Sequence, residues 1–195
     1  MKQEKLVVAI GGASGVHLGL RLIENIPDSI ELYVVVSEGA KNVAKNELGI
    51  DILTSLNDIK RKDFRILSEN DMESGIASGS FGVSAMAIVP TSMNLLAKIA
   101  NGICDELISR SASVMLKERR TLLLAPREMP LSPIALRQMG ELSALGVIIA
   151  PPIVGYYAKV QDLESMERFF VGKWLDSLKI PNTLYARWKY HTEEE

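Results

Sequence analysis

The sequence predicts an α/β protein built as a single Rossmann-like (flavodoxin-like), doubly wound parallel sheet in a three-layer α/β/α sandwich. Short β-branched runs alternate along the chain with longer segments of helical periodicity. The short runs are apolar at consecutive positions, as expected of strands that are buried on both faces. This alternation favours βαβ units with right-handed crossovers and hence a parallel sheet.

The strands and helices follow one another in that order along the whole chain. Strands are predicted at 6–10, 31–36, 86–89, 121–124 and 147–149. Helices are predicted at 16–26, 38–48, 95–99 continuing into 104–117, 134–145 and 163–178. Ile180-Pro181-Asn182 ends the last helix. No repeat or long linker divides the chain, so residues 1–195 are predicted to form one domain with a flexible tail over 188–195.

Composition excludes several classes of function. With 47% hydrophobic residues the chain can bury a large core, and its net charge of −2 predicts no large electropositive surface for nucleic acid. Cys104 is the only cysteine and His17 and His191 are the only histidines, so neither a disulfide nor a Cys/His metal site is predicted. The apolar stretches at 6–20 and 146–155 are interrupted or too short to span a membrane. We therefore expect a soluble, cytoplasmic protein.

The candidate site lies beyond the carboxyl ends of the strands, where open parallel sheets bind ligands. The segments there carry glycines, small hydroxyls, amides and one arginine, at 11–15, Ser37, 90–94, 125–128 and 150–152. The glycine turn at 11–15 could bring backbone N–H groups to an anion, or could be a tight turn without a ligand. Ser37 and Ser92 could bind a ligand or could be ordinary helix caps. The opposite strand ends are predicted to carry no such set.

Two charged groups add to this picture. Arg127 and Glu128 follow a buried strand directly, where Arg127 suits a phosphate or a flavin carbonyl and Glu128 suits proton transfer beside a partly dry pocket. The alternative is a surface ion pair between them. The basic cluster Arg110, Lys117, Arg119 and Arg120 is either a solvated face or a source of cations for a phosphate leaving group, including one in a neighbouring subunit. His17 is predicted to be a helix-surface or interface residue.

Five motifs occur in order and at matching spacing over residues 5–188. They are Gly12-Ala13-Ser14-Gly15, Ala77-Ser78-Gly79-Ser80, Leu116-Lys117-Glu118-Arg119-Arg120, Pro126-Arg127-Glu128-Met129-Pro130 and Ala186-Arg187-Trp188. Together they resemble the UbiX-type flavin prenyltransferases, so the single domain is expected to be a flavoprotein domain. The resemblance implies a metal-independent transfer of a dimethylallyl group from dimethylallyl phosphate to N5 and C6 of reduced FMN. The product is prenylated FMN, the cofactor of UbiD-type decarboxylases.

The resemblance also implies roles for individual residues. The FMN site it implies consists of Gly12, Ala13, Ser14, Ser37, Ser92, Met93, Asn94, Leu95 and Arg127. The dimethylallyl phosphate site consists of Lys117, Tyr157, Lys173 and Arg110. Catalytic roles fall to Glu128, Ser14, Glu47 and Lys117. The family is similar in forming homo-oligomers, often dodecamers, with active sites at subunit interfaces, and a UbiD-type decarboxylase is the expected recipient of the product.

Three positions depart from the family pattern, and two other functions stay open. Leu95 lacks a hydroxyl that would face the FMN phosphate, Lys173 replaces a common arginine, and Met72 stands where some relatives have an aromatic residue. One alternative is a relative of the flavin-dependent cysteine decarboxylases, which rely on a histidine placed elsewhere. The other is a non-catalytic FMN-binding accessory or carrier subunit of a decarboxylase.

Overall fold

The computed structural model describes residues 4–61 and 64–188, and they form one six-stranded parallel sheet. The strands are β1 (Lys5–Ile10), β2 (Glu31–Val36), β3 (Phe64–Ser68), β4 (Ala85–Thr91), β5 (Thr121–Pro126) and β6 (Ile148–Ile149). Their order is β3-β2-β1-β4-β5-β6, so the direction of winding reverses between β1 and β4. The predicted fold class is confirmed, and this reversal is the point at which such sheets bind ligands.

Helices cover both faces of the sheet. They are α1 (His17–Glu24), α2 (Glu38–Val43), α3 (Ile52–Asn57), α4 (Met93–Ala100), α5 (Leu107–Lys117), α6 (Pro133–Ala144) and α7 (Leu163–Ser177). A π-helical turn (Ala44–Leu48) extends α2, and short 3-10 turns lie at Gly75–Ala77, Gly79–Phe81 and Tyr156–Ala158. One face holds α1, α2, α3 and α7 around Trp174, and the other holds α4, α5 and α6 around Leu96.

The prediction that the helix at 95–99 continues into 104–117 is wrong. The chain leaves α4 after Ala100 and turns through Gly102, whose φ of +69° lies in the left-handed region. Helix α5 starts only at Leu107, whose N–H donates to the Glu69 carbonyl at 2.7 Å. The two helices are therefore separate, and the segment between them lies at the same edge as the end of β3.

Two elements were not predicted from the sequence. Strand β3 is at the edge of the sheet and pairs with β2, so it is less buried than a central strand and lacks a continuous apolar run. Helix α3 has only six residues, too few to show helical periodicity. Its start is fixed by Asp51, whose carboxylate accepts from the N–H groups of Leu53 and Thr54 at 2.8 and 3.0 Å.

Two expectations concern the membrane and the tail. Among the described residues, no helix is long and apolar enough to cross a membrane. Of the tail predicted to be flexible over 188–195, only Trp188 is among the described residues, and its ring packs edge-on against Tyr157 with centroids 6.0 Å apart. The rest of that tail, with His191, lies outside the described residues.

Candidate active site at the carboxyl edge of the sheet

Backbone hydrogen bonds join the carboxyl ends of neighbouring strands where the winding reverses between β1 and β4. The Gly11 N–H donates to the Pro90 carbonyl at 3.0 Å, which joins the ends of β1 and β4. The Ser37 N–H donates to the Ile10 carbonyl at 3.1 Å, and the Arg127 N–H donates to the Thr91 carbonyl at 3.2 Å. The predicted grouping of the glycine turn, Ser37, the 92–95 segment and Arg127 at a single edge therefore agrees with the fold.

Gly11 and Gly12 allow the strand ends to approach each other closely. A Cβ atom on Gly11 would lie 2.6 Å from the Pro90 carbonyl oxygen, and one on Gly12 would lie 2.8 Å from the backbone of Gly39. Because these neighbours are backbone atoms, they cannot rotate away as a flexible side chain could. Backbone packing by itself thus explains both glycines, for which the sequence predicts a close approach to a ligand.

The residues after those glycines leave an opening for an anion. Helix α1 has no side-chain N-cap, and among the described residues the N–H groups of Ser14 and Gly15 donate to no acceptor in the chain. Both residues are half-buried. The Ala13 N–H, by contrast, donates to the Gly11 carbonyl at 2.9 Å within the turn. Unpaired amides at the start of a helix fit a phosphate, so this turn fits the phosphate of FMN.

Ser37 and Ser92 are helix caps, as the alternative interpretation held. The Ser37 hydroxyl accepts from the Ala40 N–H at 3.0 Å and the Ser92 hydroxyl accepts from the Leu95 N–H at 3.2 Å. A hydroxyl has one donor and two acceptor positions, so each serine keeps its O–H proton for a ligand. Capping and ligand binding are therefore compatible at both positions.

The rest of the 92–95 segment divides between core and surface. Leu95 is buried in the core around Leu96, next to the position where a Gly11 Cβ would be. Met93 is half-buried and packs against the same core, while Asn94 is exposed. Of these side chains, Leu95 supports the glycine turn from behind, and Asn94 is free to face a ligand.

Arg127 and Glu128 are both exposed beyond the end of β5. They do not pair with each other: the Glu128 carboxylate accepts from the Met129 N–H at 3.1 Å. The chain alone does not provide the partly dry pocket expected around Glu128. The neighbouring side chains are nevertheless apolar and exposed, with Met129 at 87% exposure and Ile134 at 63%.

Tyr157 and Lys173 lie together beyond β6. The Tyr157 ring packs edge-on against Phe169 at 5.7 Å between centroids. Lys173 and Phe169 both line a cleft of about 200 Å³ with the segment that follows β6. The Lys173 ammonium lies 6.0 Å from the Tyr185 ring centroid. The sequence-predicted pair is therefore brought into one neighbourhood by aromatic packing on α7.

A clasp around Asp176 holds the chain after α7 against that helix, and no sequence pattern predicts it. The Arg187 guanidinium donates to both oxygens of Asp176 at 2.8 and 3.0 Å, and the Tyr185 hydroxyl donates to one of them at 2.5 Å. The Arg187 guanidinium lowers the pKa of Asp176. Burial, the hydrogen bond to Asp176 and the charge of Asp176 raise the pKa of Tyr185 to about 12. The clasp fixes Tyr185 beside Lys173.

Glu167 makes a second unpredicted contact, between α1 and α7. It is 4% exposed, and its two oxygens meet His17 Nε2 at 2.9 Å and Arg21 Nε at 2.6 Å. His17 lies at the helix–helix contact, in keeping with the predicted surface or interface role. Because α1 follows the glycine turn and α7 carries Lys173, this buried carboxylate ties the two parts of the candidate site together.

Lys117 lies away from the other catalytic candidates within the chain. It ends α5, four residues before β5 begins, whereas Glu128 follows the end of β5. The six residues of β5 separate the two positions by roughly 17 Å at the usual rise per residue. The opposite, amino edge is predicted to lack a set of small hydroxyls, amides and an arginine like that of the carboxyl edge. A different set lies there, because the charged side chains of Lys117, Glu118 and Arg120 cluster beside Gly79.

The other two predicted residues lie on helical segments and not directly after a strand. Arg110 is one turn into α5, where its Nε donates to the Ala77 carbonyl at 3.1 Å. Glu47 is exposed on the π-helical turn. Within residues 4–61 and 64–188, no group of three or more His, Cys, Asp or Glu side chains could hold a metal ion.

Comparisons with known proteins agree with this geometry. The Flavoprotein family matches residues 1–174. The flavin prenyltransferase UbiX of Helicobacter pylori is 52% identical over 184 residues, which cover 94% of this chain and 98% of that protein. A structure of AnUbiX (PadA1) in complex with FMN and dimethylallyl pyrophosphate has a TM-score of 0.89 at 37% identity and covers 97% of this chain and 99% of its own. A dodecameric FMN-dependent UbiX-like decarboxylase from Escherichia coli O157:H7 has a TM-score of 0.87 at 33% identity, over 95% and 100% of the two chains.

Proposed function

The chain belongs to the Flavoprotein family and, within it, to the UbiX flavin prenyltransferases, and from that premise we propose that it transfers a dimethylallyl group from dimethylallyl phosphate to N5 and C6 of reduced FMN. The observation that carries the proposal is the set of free amides, hydroxyl protons and Arg127 at the β1–β4 switch point of a chain 52% identical to such an enzyme. The product is prenylated FMN. Family membership favours this reaction over the decarboxylase and carrier alternatives.

The flavin site is proposed to form around the glycine turn. The Ser14 and Gly15 amides and the hydroxyl protons of Ser37 and Ser92 hold the phosphate. The Arg127 guanidinium donates two parallel hydrogen bonds to the phosphate or to a flavin carbonyl. Reduced FMN supplies the nucleophilic atoms N5 and C6.

The donor site is proposed to lie beyond β6, where Tyr157 and Lys173 both lie next to Phe169. When the allylic C–O bond breaks, its electron pair leaves with the phosphate, and cationic side chains stabilise the charge that develops there. Glu128 accepts and returns the protons that move during the two bond-forming steps. Turnover without added metal is part of the proposal and is tested by including a chelator in the assay.

Lys117 and Arg110 are proposed to serve the active site of a neighbouring subunit. Lys117 lies roughly 17 Å from Glu128 along its own chain, which is too far to act on the same donor molecule. The exposed apolar side chains beside Glu128, Met129 and Ile134 among them, are suited to burial by a second copy. A homo-oligomer, for which a dodecamer is the expectation, would exclude water from the donor site as the carbocation requires.

Mixed oligomers test this arrangement. Lys117→Ala and Glu128→Gln are each expected to retain FMN and to form little product as pure oligomers. When the two variants are unfolded, mixed and refolded together, some interfaces pair an intact Lys117 with an intact Glu128. We expect product to return in the mixture only. A mixture as inactive as its components would contradict the shared site, and product formation by pure Lys117→Ala would remove Lys117 from the mechanism.

The remaining parts of the proposal concern the donor and the recipient. AnUbiX (PadA1) was solved with dimethylallyl pyrophosphate, so competition between the mono- and diphosphate donors for limiting enzyme decides which one this chain uses. A UbiD-type decarboxylase is the proposed recipient, and gain of activity by the cofactor-free decarboxylase on addition of the reaction mixture tests it. The proposed cytoplasmic location is tested by cell fractionation.

A further inference from the structure

We propose that Gly79 and Glu118 are positioning residues that hold the Lys117 ammonium at the amino edge and thereby set the affinity for the donor phosphate. The inference rests on the proposed role of Lys117 in a neighbouring active site. It adds two residues, one of them without a side chain, to the groups that determine how the donor is bound.

Glu118 forms ion pairs with two cationic side chains, Lys117 and Arg120. Its Oε1 meets the Lys117 Nζ at 2.5 Å and its Oε2 meets an Arg120 nitrogen at 3.4 Å. The same Arg120 nitrogen donates to the Gly79 carbonyl at 2.8 Å. Hydrogen bonds thus link Lys117 to the Gly79 backbone through Glu118 and Arg120.

Gly79 provides the space in which this pair sits. A Cβ atom at this position would lie 2.2 Å from Glu118 Oε1 and 2.9 Å from Lys117 Nζ. Gly79 is buried, and its φ is outside the left-handed region that requires glycine. The backbone conformation therefore does not explain the glycine, and the space filled by the Lys117–Glu118 pair does.

An anchored ammonium matters because lysine is a flexible point charge. Its four-carbon stem loses rotamer freedom each time it binds an anion, and a partner that restrains it beforehand reduces that loss. The Lys117 side chain is half exposed, so without the pair it would sample many positions. In this proposal the donor phosphate binds a Lys117 ammonium group that Glu118 already holds in position.

A double-mutant cycle tests the inference by binding and does not need turnover. The measured quantity is the dissociation constant of dimethylallyl phosphate for the full chain loaded with oxidised FMN, by isothermal titration calorimetry. Gly79→Ala displaces only the ends of two flexible side chains, so the melting temperature should stay within about 2 °C while the constant rises about fivefold or more. In a Lys117→Ala background, Gly79→Ala should change it no further. Gly140→Ala is the matched control, because a Cβ there meets no atom within 4 Å.

Glu118 variants provide a second arm. Glu118→Ala removes the anchor and should weaken donor binding, whereas Glu118→Gln keeps an acceptor oxygen for Lys117 and should recover most of the loss. Glu141→Gln, in an exposed pair with Arg137 at 3.7 Å, is the control for removal of a charge. FMN affinity should be unchanged in all of these variants.

The outcomes separate the inference from the proposed function. If Lys117→Ala weakens donor binding and Gly79→Ala weakens it further by an independent factor, the positioning role is wrong and the role of Lys117 stands. A normal dissociation constant in Gly79→Ala also overturns the inference. A normal constant in Lys117→Ala removes Lys117 from the donor site and overturns both claims. Absence of prenylated product in the unmodified chain with these binding effects intact would contradict the proposed reaction alone.

Discussion

Replacement of the buried carboxylate between α1 and α7, Glu167→Ala, should destabilise the protein by about 2 kcal/mol. Removing one partner of a fully buried ion pair costs about 3–5 kcal/mol. Here the cost is lower, because the Arg21 and His17 side chains are 37% and 35% exposed and recover water when the carboxylate is lost. For a chain of this length about 1 kcal/mol corresponds to about 2–4 °C, so the melting temperature should fall by roughly 4–8 °C.

Scanning calorimetry at fixed protein concentration and neutral pH measures this change. Glu141→Ala, which removes an exposed carboxylate paired with Arg137 at 3.7 Å, should change the melting temperature by no more than about 1 °C. The tie between the helices should also appear as coupling: after Glu167→Ala, further replacement of Arg21 by Ala should cost much less than it does alone. Equal shifts for Glu167→Ala and Glu141→Ala would refute the inference that the buried carboxylate joins the two helices.

Three further predictions concern the turn, the cap and the clasp. Gly12→Ala should raise the FMN dissociation constant at least about tenfold in fluorescence titration, since its Cβ would lie 2.8 Å from the Gly39 backbone; an unchanged constant would contradict the close packing. Ser92→Ala should lower the free energy of unfolding by about 1 kcal/mol in urea and weaken FMN binding, because it removes both a cap and a proposed donor; loss of stability with normal FMN affinity would leave a cap only. The pKa of Asp176 is lowered in the folded protein, so its stabilisation is present above the ordinary value of 3.8 and is lost as pH falls through the folded value. Melting temperatures of the unmodified chain and Asp176→Asn should therefore differ at neutral pH and converge in acid, and a constant difference would contradict the assignment.

The central strands and their helices could be predicted because their side chains are buried on both faces. Strands such as β1 and β4 are apolar at nearly every position, and this pattern depends little on partners distant in the chain. The edge strand β3 is half-exposed, and helix α3 is shorter than two helical turns. Neither shows a periodicity long enough to separate it from a loop.

The candidate site was predictable where residues follow strands directly. The position of Ser37 or Arg127 follows from strand direction, because parallel strands end at the same edge. Glu167 and Asp176 are helix residues whose partners lie 150 and 11 positions away, and charge patterns along a helix do not reveal such contacts. Gly79 belongs to the motif Ala77-Ser78-Gly79-Ser80, yet the need for glycine there depends on the Lys117–Glu118 pair that occupies its Cβ position.

The separation of Lys117 from Glu128 follows from the sequence. One residue precedes a predicted strand and the other follows it, so the two belong to opposite edges of any parallel sheet. Their proposed chemical roles place the two residues in one site, whereas the sheet topology places them at opposite edges. The proposed use of both residues in one site therefore requires two copies of the chain.

Mass spectrometry of the extracted flavin tests the central claim most directly. The full chain is incubated anaerobically with reduced FMN, dimethylallyl phosphate and a metal chelator. The flavin is then extracted and its mass is measured. The proposed reaction predicts a flavin heavier than FMN by one five-carbon unit, formed only when donor and protein are both present. Recovery of unmodified FMN with the donor intact, from protein that binds both, would contradict it.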